Sequence, residues 1–261
     1  MQIDLEKIVA IAESAGQAIL EIYNRDFDVQ QKDDKSPLTE ADLAAHRLIV
    51  DALERLEPRL PVLSEESAGI PYAERSGWSR YWLVDPLDGT KEFIKRNGEF
   101  TVNLALIDAG RAACGVVHVP VSGVSYFGCV GEGARKRHAD GSTEEISVTA
   151  QRQDPLRIAG SRSHAGDSLQ RFLDKVGPHE IVSMGSSLKL CLVAEGLADI
   201  YPRLGPTSEW DTGAAQAVVE AAGGEVTGLD MQPLRYNTKD SLLNPYFLVF
   251  GDRQEDWAQY L

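Results

Sequence analysis

The sequence YWLVDPLDGT at residues 81–90 is an apolar segment followed by a turn that contains two acidic residues. Its first four residues predict a short β-strand, and Asp85 and Asp88 follow at the carboxyl end of that strand. The proline between them stiffens the turn, and the glycine after Asp88 permits an unusual backbone angle. Both carboxylates and the carbonyl group of Leu87 can therefore face one point, and the remaining elements are placed around this turn.

The sequence on the amino-terminal side of this segment predicts two helices, and further strands lie on either side of it. Residues 4–23 carry apolar residues at helical spacing, with Asp4 as the expected N-cap. A second helix is predicted to begin at Thr39, because Thr39 and Asp42 have the spacing of a capping box. Short strands are predicted at 61–64, 81–84, 101–107, 115–119 and 126–130, with a hairpin turn at 107–111.

The pattern changes near residue 154, after which strands and helices alternate. Strands are predicted at 156–159, 180–183, 199–201 and 247–250, and helices at 167–176, 187–195 and 211–222. This alternation is typical of a layered α/β unit. We therefore predict an α/β protein with an α+β half at 1–154, which contains a largely antiparallel sheet, and an α/β half at 155–261, packed around a shared cleft.

The composition restricts the classes of partner. Of 261 residues, 26 are Lys or Arg and 40 are Asp or Glu, which gives a formal net charge of −14. A chain this acidic repels nucleic-acid backbones and anionic lipid surfaces, so we expect no nucleic-acid partner. A small phosphorylated substrate is compatible with this charge only where local cations or metal ions offset it.

The cysteines and the termini bear on the cellular compartment. The three cysteines are widely spaced and form no Cys-x-x-Cys pair, so we expect neither a disulfide framework nor a thiolate zinc site. That expectation fits a reducing compartment. The first residues lack the features of a signal peptide, and no apolar run is long enough to span a bilayer. We therefore expect a cytoplasmic protein.

Acidic residues collect where predicted elements begin or end. Besides the two acids of the central turn, Glu65 directly follows the strand at 61–64, and Asp211 opens the helix at 211–222. Strand ends and helix starts line the crevices in which α/β sites form. Oxygen ligands suit a hard cation such as Mg²⁺. Taken singly, each acid is more simply a helix cap or a solvated turn residue.

Two further features of these acidic segments favour a binding site. Trp82 and Trp210 flank the acids in sequence and are expected to be exposed there. Gly89 and Thr90 begin a predicted helix, whose free N–H groups can donate hydrogen bonds to a phosphate oxygen. The alternative is an ordinary Gly-Thr turn with a satisfied hydroxyl group.

Several segments together resemble the lithium-sensitive, magnesium-dependent phosphatases of the inositol monophosphatase superfamily. These segments are LSEE at 63–66, WLVDPLDGTKEF at 82–93 and WDTGAA at 210–215. Within the superfamily, GSSLKLCLVAEG at 185–196 and YPRLGPTSEWD at 201–211 resemble the 3′(2′),5′-bisphosphate nucleotidase branch. The resemblance implies a layered αβαβα sandwich that hydrolyses adenosine 3′,5′-bisphosphate to AMP and phosphate. It also implies 3′-phosphoadenylyl sulfate, a compound of sulfur assimilation, as a further candidate substrate.

The resemblance also implies roles for individual residues. Two or three Mg²⁺ ions would be held by Glu65, Asp85, Asp88, Asp211 and the Leu87 carbonyl group. Asp42 and Thr90 would orient and deprotonate the attacking water. The substrate would contact Glu65, Leu87, Asp88, Gly89, Thr90, Ser186, Lys189, Arg203 and Asp211, of which Ser186, Lys189 and Arg203 hold the nucleotide.

The residues themselves leave alternatives open. Asp42 can be explained by its capping box alone, Lys189 by a solvated helix face and Arg203 by an exposed turn. His164 could reach the substrate, and the polar loop 32–37 could close over the cleft. The first alternative function is an inositol monophosphatase or a sugar bisphosphatase of the same superfamily. The second is a non-catalytic Ca²⁺-binding module, although the sequence lacks EF-hand spacing.

The expected partner is a small nucleotide bisphosphate, with no obligatory protein partner. Peripheral association with the cytoplasmic face of the inner membrane would follow only from the resemblance, because no residue pattern shows it.

Overall fold

The computed structural model describes residues 3–31, 37–160 and 167–261. The helices in these residues are α1 Leu5–Tyr23, α2 Glu40–Leu53, α3 Tyr72–Arg75, α4 Thr90–Ile94, α5 Asp167–Val176, α6 Leu188–Ala194 and α7 Glu209–Ala221. The strands are β1 Val29–Gln31, β2 Pro37–Thr39, β3 Val62–Ser64, β4 Arg80–Asp88, β5 Thr101–Asp108, β6 Arg111–Val119, β7 Val124–Cys129, β8 Gly133–Arg137, β9 Thr143–Ile146, β10 Leu156–Gly160, β11 His179–Ser183, β12 Ile200–Arg203, β13 Glu225–Gly228 and β14 Phe247–Phe250. His164 and most of the loop 32–37 lie outside the described residues, so the predictions for them stay predictions.

Two sheets organise the protein. The larger has the strand order β3-β4-β5-β6-β7-β8-β9, and every neighbouring pair is antiparallel except the parallel pair of β3 and β4. The smaller has the order β11-β10-β12-β14-β13, with β10 parallel to both neighbours and β14 antiparallel to both of its own. The prediction of a largely antiparallel first sheet and an α/β arrangement after it is confirmed.

Helices separate and cover the two sheets. Helices α1 and α2 bury their apolar faces against one side of the larger sheet, together with Trp82 and Val84 of β4. Helices α6 and α7 fill the space between the sheets, against Tyr81 and Leu83 on the other side of β4. Helix α5 and the C-terminal Trp257 cover the outer side of the smaller sheet. The layers therefore run α-β-α-β-α, as the resemblance implied.

Small residues let α7 approach the larger sheet closely. A Cβ atom added to Gly115 of β6 would lie 2.0 Å from the carbonyl oxygen of Ala214, and one added to Gly213 would lie 2.9 Å from Leu83 Cδ2. A Cβ atom at position 115 would overlap backbone atoms, so Gly115 is required at this helix–sheet spacing, whereas a Cβ atom at position 213 would force the Leu83 side chain to shift. This contact presses the first turn of α7 against the strand that carries the central acids.

The sequence predicted most helices and strands correctly, although some of their first and last residues differ. The predicted helix at 211–222 begins at Glu209, because Ser208 is its N-cap and Asp211 is the third residue of the helix. The strands β1, β2, β8, β9 and β13 were not predicted. The outer strands β8 and β9 are largely exposed and lack an apolar alternation that would mark them as strands.

The expectation about the cysteines is wrong in one respect. Cys114 and Cys129 form a disulfide, because β6 and β7 place these residues directly opposite each other with their Cα atoms 4.0 Å apart. They lie 15 positions apart in sequence, and only the pairing of the two strands brings them together. Cys191 is free and buried. The disulfide removes the cysteine-based argument for a reducing compartment.

The expectation that Trp82 is exposed is also wrong, since Trp82 is 2% exposed and belongs to the core beneath α1 and α2. Trp210 is partly buried against the core between the sheets. Among the described residues, no helix is long and apolar enough to cross a membrane.

Candidate active site

An acidic cluster lies where the end of β4 meets the start of α7. Asp85, Asp88 and Asp211 each place one carboxylate oxygen within 4.8 Å of the others. Asp85 and Asp88 can point to the same place because the pairing of β4 with β5 is irregular between these two residues. The structure thus brings together three of the four carboxylates that the sequence indicated as metal ligands.

Main-chain N–H groups hold these three carboxylates in position. Asp85 accepts a hydrogen bond from its own turn, from the N–H of Leu87 at 3.0 Å. Asp88 accepts one at 2.5 Å from an N–H just ahead of α6, and Asp211 accepts one at 2.9 Å from the N–H of its N-cap. These N–H groups belong to fixed elements and lose little entropy when they bind the carboxylates. The three carboxylates are therefore held in position before a ligand binds.

A cation would stabilise the ionised form of this cluster. Burial raises the pKa of Asp85 and Asp88 above the ordinary range. Burial, with repulsion from Asp88, raises the pKa of Asp211 to about 8. Asp85 is buried and Asp88 and Asp211 are partly buried, and three carboxylates at this separation resist simultaneous ionisation, which the charge of a bound divalent cation would offset. The donors are all oxygen atoms, which fits Mg²⁺ better than a thiophilic metal.

Glu65 lies beside the cluster. It follows β3 and opens a short 3₁₀ turn, Glu65–Ser67, at the same edge of the sheet. Its carboxylate contributes to the raised pKa of both Asp85 and Asp211, which places it in the same electrostatic environment. It is not one of the three residues whose oxygens fall within the 4.8 Å group.

Asp42 and Thr90 meet on the other side of the central turn. Asp42 accepts two hydrogen bonds at its Oδ2 atom, both of 2.7 Å, from the main-chain N–H and the hydroxyl group of Thr39. Its Oδ1 atom lies 3.3 Å from the Thr90 hydroxyl oxygen, which is also 3.4 Å from the Leu87 carbonyl oxygen. The capping box and the contact with Thr90 therefore coexist, because each uses a different carboxylate oxygen.

A cavity of about 200 Å³ adjoins the acidic cluster. Asp88 and Asp211 form part of its wall, as do the three residues that the resemblance assigned to the nucleotide, namely Ser186, Lys189 and Arg203. The aromatic rings of Tyr201 and Phe247 complete one side. The cavity wall thus carries both acidic and cationic groups. We call the part that Asp88 and Asp211 form the acidic end, and the part that Ser186, Lys189 and Arg203 form the cationic end.

Lys189 is not on a solvated helix face. It is 7% exposed, and its ammonium group donates hydrogen bonds to the carbonyl oxygens of Ser186 at 2.7 Å and Met184 at 3.2 Å. Its Nζ atom also lies 5.6 Å from the centre of the Tyr201 ring. Burial lowers the pKa of Lys189, while Asp88 acts in the opposite direction.

Two polar groups of the cavity wall are buried without a hydrogen-bond partner in the described part of the chain: the Ser186 hydroxyl group and the Nε atom of Arg203. Ser186 adopts a positive φ of 41°. Arg203 lies on strand β12, where its Nη2 atom donates to the carbonyl oxygen of Pro206 at 2.8 Å. Buried unpartnered donors are costly, and a ligand that accepts hydrogen bonds would satisfy both.

Sequence reasoning missed the polar groups behind Asp88. Thr101, Asn103 and Ser187 are buried and hydrogen-bonded to one another next to this carboxylate. One signal was available, because Asn103 interrupts the otherwise apolar run VNLALI at 102–107. A buried amide in a central strand requires a partner, and the sequence does not show which one.

Two solved structures share this architecture over almost the whole chain. The inositol monophosphatase of Anabaena superposes with a TM-score of 0.76 at 24% identity, over 98% of this chain and 94% of that one. The structure of CysQ from Bacteroides thetaiotaomicron superposes with a TM-score of 0.81 at 42% identity, over 95% of this chain and 98% of that one. The five-layer sandwich with its acidic cluster is therefore the inositol monophosphatase fold.

The chain belongs to the inositol monophosphatase family, whose sequence pattern matches residues 3–257. Its similarity to the bisphosphate nucleotidases is greater than the fold alone would show. It is 49% identical over 247 residues to the 3′(2′),5′-bisphosphate nucleotidase CysQ of Escherichia coli K12, covering 94% of this chain and 98% of that protein. The corresponding protein of Haemophilus influenzae is 37% identical, over 97% of this chain and 94% of its own length. The resemblance found in the sequence is confirmed.

Proposed function

We propose that this chain is a Mg²⁺-dependent phosphomonoesterase that hydrolyses adenosine 3′,5′-bisphosphate to AMP and inorganic phosphate, with 3′-phosphoadenylyl sulfate as a further substrate. One observation carries the proposal: Asp88 and Asp211 belong both to the acidic cluster and to the wall of the cavity that contains Lys189 and Arg203. A substrate with two phosphate groups can therefore place one at each end. The names of the similar nucleotidases agree with this reaction.

The acidic end would hold two or three Mg²⁺ ions through Asp85, Asp88, Asp211, Glu65 and the Leu87 carbonyl group. Bound there, Mg²⁺ supplies Lewis-acid stabilisation of the transferring phosphoryl group and lowers the pKa of a bound water. Hydrolysis of a phosphomonoester is among the slowest uncatalysed reactions, so charge stabilisation of this kind has to supply much of the rate enhancement.

Thr90 and Asp42 would orient the attacking water. The Thr90 hydroxyl group donates toward Asp42 Oδ1, which leaves its oxygen to accept a hydrogen bond from a water molecule. Asp42 is fixed from behind by the two hydrogen bonds from Thr39, so the pair has little freedom to rotate. Proton transfer from the water through Thr90 to Asp42 is the simplest path that these contacts support.

The cationic end would hold the nucleotide. The unpartnered Ser186 hydroxyl and Arg203 Nε groups are donors for the second phosphate group, and the flat guanidinium group of Arg203 can also stack on the adenine. The positive charge of Lys189 lies at the same wall and offsets the acidic field of the protein. The N–H groups of Gly89 and Thr90 remain the predicted donors to the phosphate that is cleaved.

We further propose that residues 1–154 and residues 155–261 form two subdomains with different roles. The first part carries most of the metal site and the second carries the nucleotide contacts, with Asp211 as the contribution of the second part to the metal site. A cytoplasmic enzyme with no obligatory protein partner, acting in sulfur assimilation, fits this assignment.

Phosphate release from four esters tests the proposed function: adenosine 3′,5′-bisphosphate, 3′-phosphoadenylyl sulfate, inositol 1-phosphate and fructose 1,6-bisphosphate. We expect the highest kcat/KM with the first, dependence on Mg²⁺, and inhibition by millimolar Li⁺. A higher kcat/KM with inositol 1-phosphate would replace the proposal by the alternative monophosphatase function. Metal binding without phosphate release from any ester would favour the non-catalytic module.

A further inference from the structure

Two polar residues lie in the centre of the larger sheet, on strand β5. Thr101 and Asn103 are 0% and 1% exposed, whereas the residues around them in this strand are apolar. In the pairing of β5 with β4, Thr101 lies opposite Asp88 and Asn103 lies opposite Asp85. The two polar side chains therefore stand directly behind the acidic cluster.

Ser187 connects these residues from the other half of the protein. Its hydroxyl oxygen lies 2.8 Å from the Thr101 hydroxyl oxygen and donates to Asn103 Oδ1 at 3.0 Å. Since the single hydroxyl hydrogen of Ser187 is used on Asn103, the Thr101 hydroxyl group must donate to Ser187. The hydrogens then run in one direction, from Thr101 to Ser187 to Asn103.

This order fixes the orientation of the Asn103 amide. Because Oδ1 accepts from Ser187, the NH₂ group is directed away from Ser187, and it has no hydrogen-bond partner within the described ranges. Asn103 is the cross-strand neighbour of Asp85, and Ser187 contacts both Asn103 and Asp88, so the amide lies beside these carboxylates. The main-chain N–H of Ser187 contacts the Asp88 carboxylate at 2.5 Å.

We infer that Asn103 is a positioning residue that orients the Asp88 carboxylate for cation binding, with Ser187 and Thr101 setting the direction of its amide group. The inference rests on the proposed function only in that a divalent cation binds the acidic cluster. An amide suits this task because it donates a hydrogen bond without neutralising the carboxylate, whereas a lysine or arginine would compete with the metal for the negative charge.

Ser187 also links the acidic cluster to the turn that contains Ser186. Ser187 directly follows Ser186, a residue of the cavity wall, and directly precedes α6. The turn that presents the nucleotide contacts is thus tied to Asp88 through one main-chain N–H and through one hydroxyl group. Loosening this turn is expected to weaken metal binding as well as nucleotide binding.

The test measures metal affinity directly, by titrating the metal-free protein with Mn²⁺ and following free Mn²⁺ by electron paramagnetic resonance. Loss of a group that orients a metal ligand weakens binding by roughly 10- to 100-fold. We expect Asn103→Leu to raise the Kd for Mn²⁺ by about 10-fold or more. We expect Ser187→Ala, which keeps the main-chain N–H, to raise it by a smaller factor.

Gln216→Leu is the matched control. Gln216 is also a buried amide, but its partners are Glu220, Tyr236 and the Leu234 carbonyl group. We expect this variant to lower the thermal unfolding temperature without changing the Kd for Mn²⁺. A variant that only disturbs packing would behave like this control.

An unchanged Kd for Mn²⁺ in Asn103→Leu, with the unmodified protein binding the ion, overturns the inference and leaves the proposed function in place. If Asn103→Leu fails to fold, the Ser187→Ala variant decides in the same way. Failure of the unmodified protein to bind Mn²⁺ overturns the metal site and this inference together.

Discussion

The two ends of the cavity are built differently. At the acidic end, three carboxylates are held by main-chain N–H groups of fixed elements, and the repulsion between them is raised by burial. At the cationic end, Ser186 and Arg203 keep buried donors without partners in the described part of the chain. One end is a rigid scaffold for cations, and the other offers side-chain groups that a ligand completes.

Two acidic residues at or near the acidic end also cap helices. Asp42 and Asp211 are each the third residue of a helix, and each gives one oxygen to the N–H of its N-cap residue. The capping bond fixes the side chain at no extra cost to the fold, and the second oxygen faces the site. A structural and a functional reading of these acids are therefore compatible.

The largest expected loss of activity comes from a substitution that changes only the acidic end. Asp88→Asn removes one carboxylate while keeping the side-chain volume, so we expect Mg²⁺-dependent phosphate release to fall by at least about 1,000-fold. Because a buried repulsion is also removed, the thermal unfolding temperature of the metal-free protein should stay the same or rise. Asp140→Asn, in an exposed turn, is the control. Turnover within a factor of ten of the unmodified enzyme would refute the metal role.

Metal removal should make the stability of the protein depend on pH. The folded-state pKa of Asp211, about 8, exceeds the ordinary value of 3.8, so the folded protein binds more protons between these values than the unfolded chain does. In chelator, the free energy of unfolding should therefore fall as the pH rises from 5 to 8, with Asp211 alone contributing at most about 4 kcal/mol and Asp85 and Asp88, whose pKa values are also raised, adding to the fall. Saturating Mg²⁺ should remove most of this slope, which chemical denaturation at each pH would measure.

The next prediction concerns the cationic end. Arg203→Ala removes a guanidinium group that the proposed function places on the nucleotide, so the KM for adenosine 3′,5′-bisphosphate should rise by roughly 10- to 100-fold. The KM for inositol 1-phosphate, which carries one phosphate group, should change much less. Steady-state kinetics with both esters give the ratio, and an equal rise for both would show that Arg203 does not recognise the nucleotide.

Lys189 should differ from Arg203, because its ammonium group also supports the turn beside it. Lys189→Met leaves the carbonyl groups of Met184 and Ser186 without this donor, so the free energy of unfolding should fall by about 1–3 kcal/mol. Arg203→Ala should be closer to neutral in the same measurement. Lys7→Met, at an exposed position on α1, is the matched control for loss of a lysine. Equal stability of the Lys189 and Lys7 variants would contradict a supporting role.

Several features of the fold and the site were predicted from the sequence and are present in the structure. The capping box of Thr39 and Asp42 was predicted from spacing and is present, because a cap depends on four consecutive residues. The strand at 101–107 was predicted from its apolar character and is strand β5. The nearness of Asp85, Asp88 and Asp211 was expected from their places at element ends and from the resemblance to a family.

Other features were beyond the sequence because they depend on which elements meet. The disulfide of Cys114 and Cys129 needs the register of β6 against β7. The burial of Trp82 needs α1 and α2 to cover its side of the sheet. The contact of Ser187 with Asp88 joins residues 99 positions apart.

By itself, the chain determined its local elements, its acidic character and the residue types of its two-ended site. Tertiary structure alone decided that the carboxylates share one buried point, that Lys189 is enclosed, and that an amide from the central strand stands behind Asp88. The physical reason is range: caps and periodicity act over a few residues, whereas burial, repulsion and cross-strand contacts exist only once distant segments have packed together.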